Sequence, residues 1–256
     1  METVKLHYKK QGIGPELFIL HGLLGSLDNW QTVANALIEN YTVFLVDLRN
    51  HGRSPHHPEM NYTLMAADVL QLIAEQATSP CYILGHSMGG KIAMECLSSH
   101  PNLFIRGMIV DIGPKKYIGG HEEILDAMAS IDLTKIEKRS DGDDLLKTKI
   151  PDFGVRQFIL KNLDRNGENG FQWKCNLEAI MKNYEKISDE LEFAQAVEIP
   201  VCFLAGEKSN YILPVDHAAI RTTFLNAEFI SIPSAGHWVH AEKPEETIKI
   251  ILEYFR

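Results

Sequence analysis

Several things are scarce in this sequence, and each scarcity excludes something. Only four cysteines occur in 256 residues: Cys81, Cys96, Cys175 and Cys202. None pairs at metal-ligand spacing and three lie in apolar stretches, so a disulfide scaffold and a zinc site are both disfavoured. They read as buried, reduced thiols, which points to a cytoplasmic protein. No apolar run is long enough to span a bilayer. The first residues, Met1-Glu2-Thr3-Val4-Lys5-Leu6, lack the apolar core of a signal peptide. Positive charge is also short. Lys and Arg number 25 against 34 Asp and Glu, a net charge of −9, which disfavours nucleic acid and anionic membrane as partners. There are no repeats and no low-complexity segment. The pair His56-His57 has neither the spacing nor the carboxylates of a metal site, and no cofactor is expected.

Short β-rich apolar runs alternate along the chain with amphipathic helical patterns. The expected strands are Val4–Tyr8, Leu17–Leu20, Val43–Val46, Cys81–Leu84, Gly107–Asp111, Val201–Ala205 and Glu228–Ile232. The expected helices between them are Trp30–Glu39, Thr63–Gln76, Met88–Ser99, Val215–Leu225 and Pro244–Tyr254. Such alternation implies a single α/β domain over residues 1–256, built on a mostly parallel sheet with helices on both faces. One stretch, residues 114–197, breaks the pattern. It offers no strand run and four helical patterns, His121–Ile131, Asp143–Ile150, Phe153–Leu163 and Asn176–Glu192. It reads as a helical insertion between two sheet strands. Above the carboxyl ends of the strands it would cover the usual ligand position of an open α/β sheet, so it is expected to be a lid.

The chemistry centres on Gly85-His86-Ser87-Met88-Gly89, between the apolar run Cys81–Leu84 and a helical pattern. A strand, a sharp turn and a helix with serine at the tip expose one hydroxyl. Glycines flank it because the turn brings backbones together. A serine needs a base, and in the chain order Ser, acid, His the base comes last. His237, in the loop Ser234-Ala235-Gly236-His237-Trp238 after the last strand, fits that role, and His240 is its weaker local competitor. An oxyanion needs two backbone donors. Met88 N–H follows the nucleophile, and Leu23 N–H is the choice within His21-Gly22-Leu23-Leu24-Gly25. Tyr211 and Trp238 are candidates for the substrate pocket from position alone. Asp47-Leu48-Arg49 and Lys91 are read as structural.

Together these motifs resemble the α/β-hydrolases along the whole length of the chain. Arg49-Asn50-His51-Gly52 with Ser54-Pro55, the run Gly89-Gly90-Lys91, and Asp111-Ile112-Gly113-Pro114 are more narrowly similar to the YbfF-like bacterial esterases. The resemblance implies a single-domain ester hydrolase with a small helical lid, acting on small-molecule esters or thioesters of small to medium acyl chains. It implies Ser87 as nucleophile, His237 as base, and Leu23 and Met88 as oxyanion donors. A noncatalytic small-ligand binding protein and a carbon–carbon hydrolase or lyase are the alternatives.

The acid departs from the commoner pattern. Many relatives place an aspartate after the strand equivalent to Val201–Ala205, but here Gly206-Glu207-Lys208-Ser209 puts serine at that position. The preceding sheet strand ends in Asp111. A carboxylate there is costly to bury without a partner, and a histidine would resolve that cost. Asp111 is therefore the expected acid. Glu207 and Asp216 are the other candidates, and a turn-capping role for Asp111 is the structural alternative.

Overall fold

A computed structural model describes residues 2–167 and 170–256. Seven strands form one sheet in the order β1-β3-β2-β4-β5-β8-β9: β1 Tyr8–Gln11, β2 Glu16–Leu20, β3 Thr42–Val46, β4 Cys81–His86, β5 Phe104–Val110, β8 Val201–Gly206 and β9 Ala227–Ile232. All pairs are parallel except β1 with β3. A short antiparallel pair, β6 Leu163–Arg165 and β7 Phe171–Trp173, stands apart.

Side chains alternate across the sheet, so neighbouring residues enter two different cores. Phe18, Leu20, Phe44 and Val46 face one layer. That layer includes α2 Tyr62–Gln76 and α3 Met88–Ser99, which pack together. Leu17, Ile19, Val43 and Leu45 face the other core, covered by α1 Gln31–Leu37 and α11 Pro244–Tyr254. Each face is dry, which is why the central strands read as continuous apolar runs. Two further helices lie near the carboxyl end of the chain, α9 His217–Thr223 and α10 Val239–Glu242. Among the described residues, no helix is long and apolar enough to cross a membrane.

Between β5 and β8 the chain leaves the sheet. This inserted segment carries α4 Glu122–Ala129, α5 Arg139–Lys147, α6 Phe153–Leu160, the β6–β7 hairpin, α7 Leu177–Lys182 and α8 Tyr184–Ser188. The structure corrects the sequence reading at three places. The first strand is Tyr8–Gln11, not Val4–Tyr8, because Val4 and Leu6 face the core beside α2 and Val4 N–H donates to Asp68. The insertion does contain strands, but each is three residues long, too short to show alternation. The long pattern Asn176–Glu192 breaks at Asn183, whose side-chain amide donates to the Pro58 and Ala179 carbonyls. Its local backbone is not helical, so two short helices replace one.

Candidate active site

Ser87 stands at the turn from β4 to α3 in a left-handed backbone conformation, φ 52°. Non-glycine residues rarely adopt it. The turn holds because its neighbours are glycines. A Cβ on Gly85 would sit 2.1 Å from the Gly89 carbonyl, and one on Gly89 would sit 2.5 Å from the Leu20 carbonyl. The Ser87 amide donates to Val110 O at 3.0 Å, which ties the turn to the end of β5. Met88 opens α3, and the first amides of a helix have no intrahelical acceptor. The loop after β2 approaches from the other side. A Cβ on Gly22 would lie 3.2 Å from Ser87 Cβ, so Leu23 is delivered close to the serine. Two buried histidines brace that loop. His21 Nδ1–H donates to Gly22 O at 2.8 Å while its Nε2 accepts from Leu48 N. His51 Nε2 accepts from Leu24 N, and its Nδ1–H donates to Arg49 O. Burial lowers their pKa values to about 4 and about 3, so both are neutral braces.

Asp111 is fully buried at the residue after β5 and is also left-handed, φ 51°. Its carboxylate accepts from Gly206 N–H at 3.0 Å, from the Ser209 hydroxyl, and from His237 Nδ1–H at 2.7 Å. Three donors offset the desolvation of a buried carboxylate. Ser209, at the position where relatives carry the acid, thus donates to the same oxygen as His237. Glu207 accepts instead from Ser234 N–H and Asp216 pairs with Lys115, so neither contacts His237.

His237 is held on three sides. Tyr211 stacks on it, with ring centroids 4.0 Å apart, and Trp238 meets it edge-on at 5.9 Å. Behind it, His86 Nε2–H donates to the His237 carbonyl at 2.9 Å. Burial and the nearby His237 and His240 hold the His86 pKa well below the ordinary value, so this donor stays neutral. His86 occupies an unspecified position of the serine motif, so the motif gave no signal for it. His240 lies in α10 and is buried against Trp30, 4.2 Å between rings, with its pKa lowered to about 3 by burial.

Ser87, His237, Tyr211, Trp238 and Leu23 all line one cavity of about 250 Å³. The inserted segment contributes Gly120, His121, Ile124, Val155 and Phe158 to the same walls. A smaller recess on its flank again includes Ser87, with Met88, Leu23 and Lys91. Lys91 is buried. Its ammonium donates to the carbonyls of Lys115 and Asp189, near the two ends of the insertion. Burial lowers its pKa to about 8. Asp47 and Arg49 are structural in their contacts: Asp47 accepts from Leu27 and Arg53 amides, and Arg49 forms a buried pair with Asp68.

This arrangement joins a serine at the tip of a sharp turn and a histidine–carboxylate pair at the carboxyl edge of a parallel sheet. Residues 15–134 match the family model described as the alpha/beta hydrolase fold. A putative esterase/lipase of Haemophilus influenzae is 38% identical over 98% of this chain and 86% of its own length. Esterase YbfF of Escherichia coli is 32% identical over 93% of this chain and 92% of its own. The solved structure of a marine microorganism esterase superposes with a TM-score of 0.96 at 39% identity, covering 98% of this chain and 99% of that one. The chain belongs to the α/β-hydrolase family. Within that family it groups with the YbfF-like esterases.

Proposed function

We propose that Ser87, His237 and Asp111 form the catalytic set of a serine-dependent carboxylic ester hydrolase. The ester-hydrolase class is that of its relatives; the residue roles are inferred from the site. The observation that carries them is the 2.7 Å contact between His237 Nδ1 and the buried Asp111, on the wall of the cavity that holds Ser87. With Nδ1–H committed to the carboxylate, Nε2 is the nitrogen left to take a proton.

Ser87 Oγ attacks the ester carbonyl as its proton passes to His237 Nε2. Leu23 and Met88 N–H groups receive the oxyanion. Asp111 steadies the imidazolium. The tetrahedral intermediate collapses as His237 gives the proton to the departing alcohol, or to the thiol of a thioester. Water, deprotonated by His237, then attacks the acyl-enzyme and releases the acid. No step requires a metal or cofactor. Tyr211 and Trp238 serve as substrate walls beside the histidine. Residues 114–197 act as a lid within one domain, a reading supported by the five insertion residues on the cavity wall. Small to medium acyl chains suit a cavity of about 250 Å³. A cytoplasmic location fits four buried free thiols.

The test is fluorophosphonate labelling followed by peptide mass spectrometry. Modification at Ser87, lost in Ser87→Ala, is the expected result. Ester turnover by a folded protein that is not labelled at Ser87 contradicts the assignment.

A further inference from the structure

The insertion brings one titratable side chain to both recesses around Ser87. His121 lies directly before α4 and after the left-handed pair Gly119-Gly120. It lines the large cavity and the flanking recess, as Ser87 and Leu23 do. The reaction above does not use it.

Its ring and its backbone both meet the Tyr184 hydroxyl. The Tyr184 hydroxyl accepts a hydrogen bond from the His121 backbone N–H at 3.2 Å. That hydroxyl has one hydrogen of its own, and His121 Nδ1 lies 3.4 Å away. When Tyr184 donates that hydrogen, Nδ1 is the acceptor and the ring proton sits on Nε2. Among the described residues, Nε2 has no hydrogen-bond partner in the protein. Burial, reinforced by the neighbouring His237, lowers the His121 pKa to about 4. At neutral pH the ring is therefore uncharged, and in this tautomer it offers Nε2–H as a donor beside apolar side chains such as Ile124, Val155 and Phe158. A neutral donor set among apolar side chains discriminates, because it is left unpaired by a hydrocarbon and paired by an oxygen.

We propose that His121 is a substrate-contact residue whose Nε2–H donates to a second oxygen of the substrate, outside the scissile ester. The enzyme would then select esters bearing an ether, hydroxyl or further carbonyl oxygen over hydrocarbon analogues of equal size. This inference rests on the esterase reading of the site and names the substrate class within it.

Two matched substrate pairs test it, one for each side of the ester. 2-Methoxyethyl butyrate is compared with butyl butyrate, and ethyl 3-methoxypropanoate with ethyl pentanoate. In each pair an oxygen replaces one methylene. The wild type is expected to favour the oxygen-bearing member of at least one pair by about five- to tenfold in kcat/KM, the worth of one neutral hydrogen bond. His121→Leu brings that ratio to the level of simple hydrophobicity. His121→Gln keeps an N–H donor and retains part of the preference, and it replaces the Leu variant should that one fail to fold. Absence of preference in both pairs, or ratios unchanged in His121→Leu, overturns the proposal. Fluorophosphonate labelling is run on the same samples. A wild type unlabelled at Ser87 faults the nucleophile assignment, whereas intact labelling with unchanged ratios faults His121 alone.

Discussion

The loops at the carboxyl edge of the sheet and the insertion that faces them are built in opposite ways. The edge loops are short, and backbone packing fixes them. Ser87 and Asp111 are held at positive φ, Gly85 and Gly89 sit where no side chain fits, and neutral histidines brace the turns. The insertion is assembled from short helices and a hairpin, and it meets the site through side chains such as His121 and Phe158. The first region fixes where a reacting atom stands. The second shapes the space around it. Chemistry should therefore be sensitive to changes at the edge loops, and substrate choice to changes in the insertion.

The largest effect belongs to Ser87→Ala, which removes the proposed nucleophile. Turnover should fall by about 10⁴- to 10⁶-fold for every ester, with the folded state intact, as steady-state kinetics and thermal melting would show. Asp111→Asn comes next. The amide cannot hold His237 in the required tautomer, so kcat should fall by about 10³- to 10⁴-fold.

Acid separates the regions by stability. His21, His51 and His240 have folded pKa values of about 4, about 3 and about 3, and that of His86 is also well below the ordinary 6.5. His21, His51 and His86 brace the edge loops through hydrogen bonds, His240 stacks on Trp30, and His121 in the insertion has a value of about 4. These groups stay neutral in the folded chain while the unfolded chain takes up protons below pH 6.5. Stability is therefore fully present above that pH and declines as the pH falls toward 4, with an upper limit of about 1.4 kcal/mol per pH unit for each histidine. Urea titrations between pH 7 and pH 4.5 should show the loss. A flat profile would mean that these rings are charged or exposed in the folded state.

The smallest effect is expected from Phe158→Ala. Phe158 lines the cavity and leans on Trp238, 5.6 Å between rings. Its loss should raise KM for hexanoyl and octanoyl esters by about three- to tenfold through lost apolar contact. Acetyl esters should be turned over as before. Equal losses for short and long chains would place Phe158 in the chemistry and erase the contrast between the regions.

The same contrast governs what could be read from the sequence. The edge loops were legible because backbone geometry demands particular residue types at fixed spacing. Glycines flank Ser87, and the sheet order limits where a histidine and a carboxylate can meet. The serine at 209 was legible as a departure, and its contact with Asp111 shows why a hydroxyl is compatible there: it donates to the carboxylate that follows β5. The insertion was legible only as helical. Its strands are too short to alternate, and the break at Asn183 depends on a hydrogen bond to Pro58, distant in sequence. His121 and His86 gave no signal either. Their importance comes from which cavities and carbonyls they reach in three dimensions.

The most direct measurement is an acyl-chain-length profile of Asp111→Asn against the wild type, from acetyl to octanoyl esters. The carboxylate acts through His237 and touches no acyl chain in this account. A uniform fall of about 10³- to 10⁴-fold at every chain length, with an unchanged profile, is the predicted result. Near-normal turnover, or a loss confined to some chain lengths, would contradict the assignment of Asp111 as the acid behind His237.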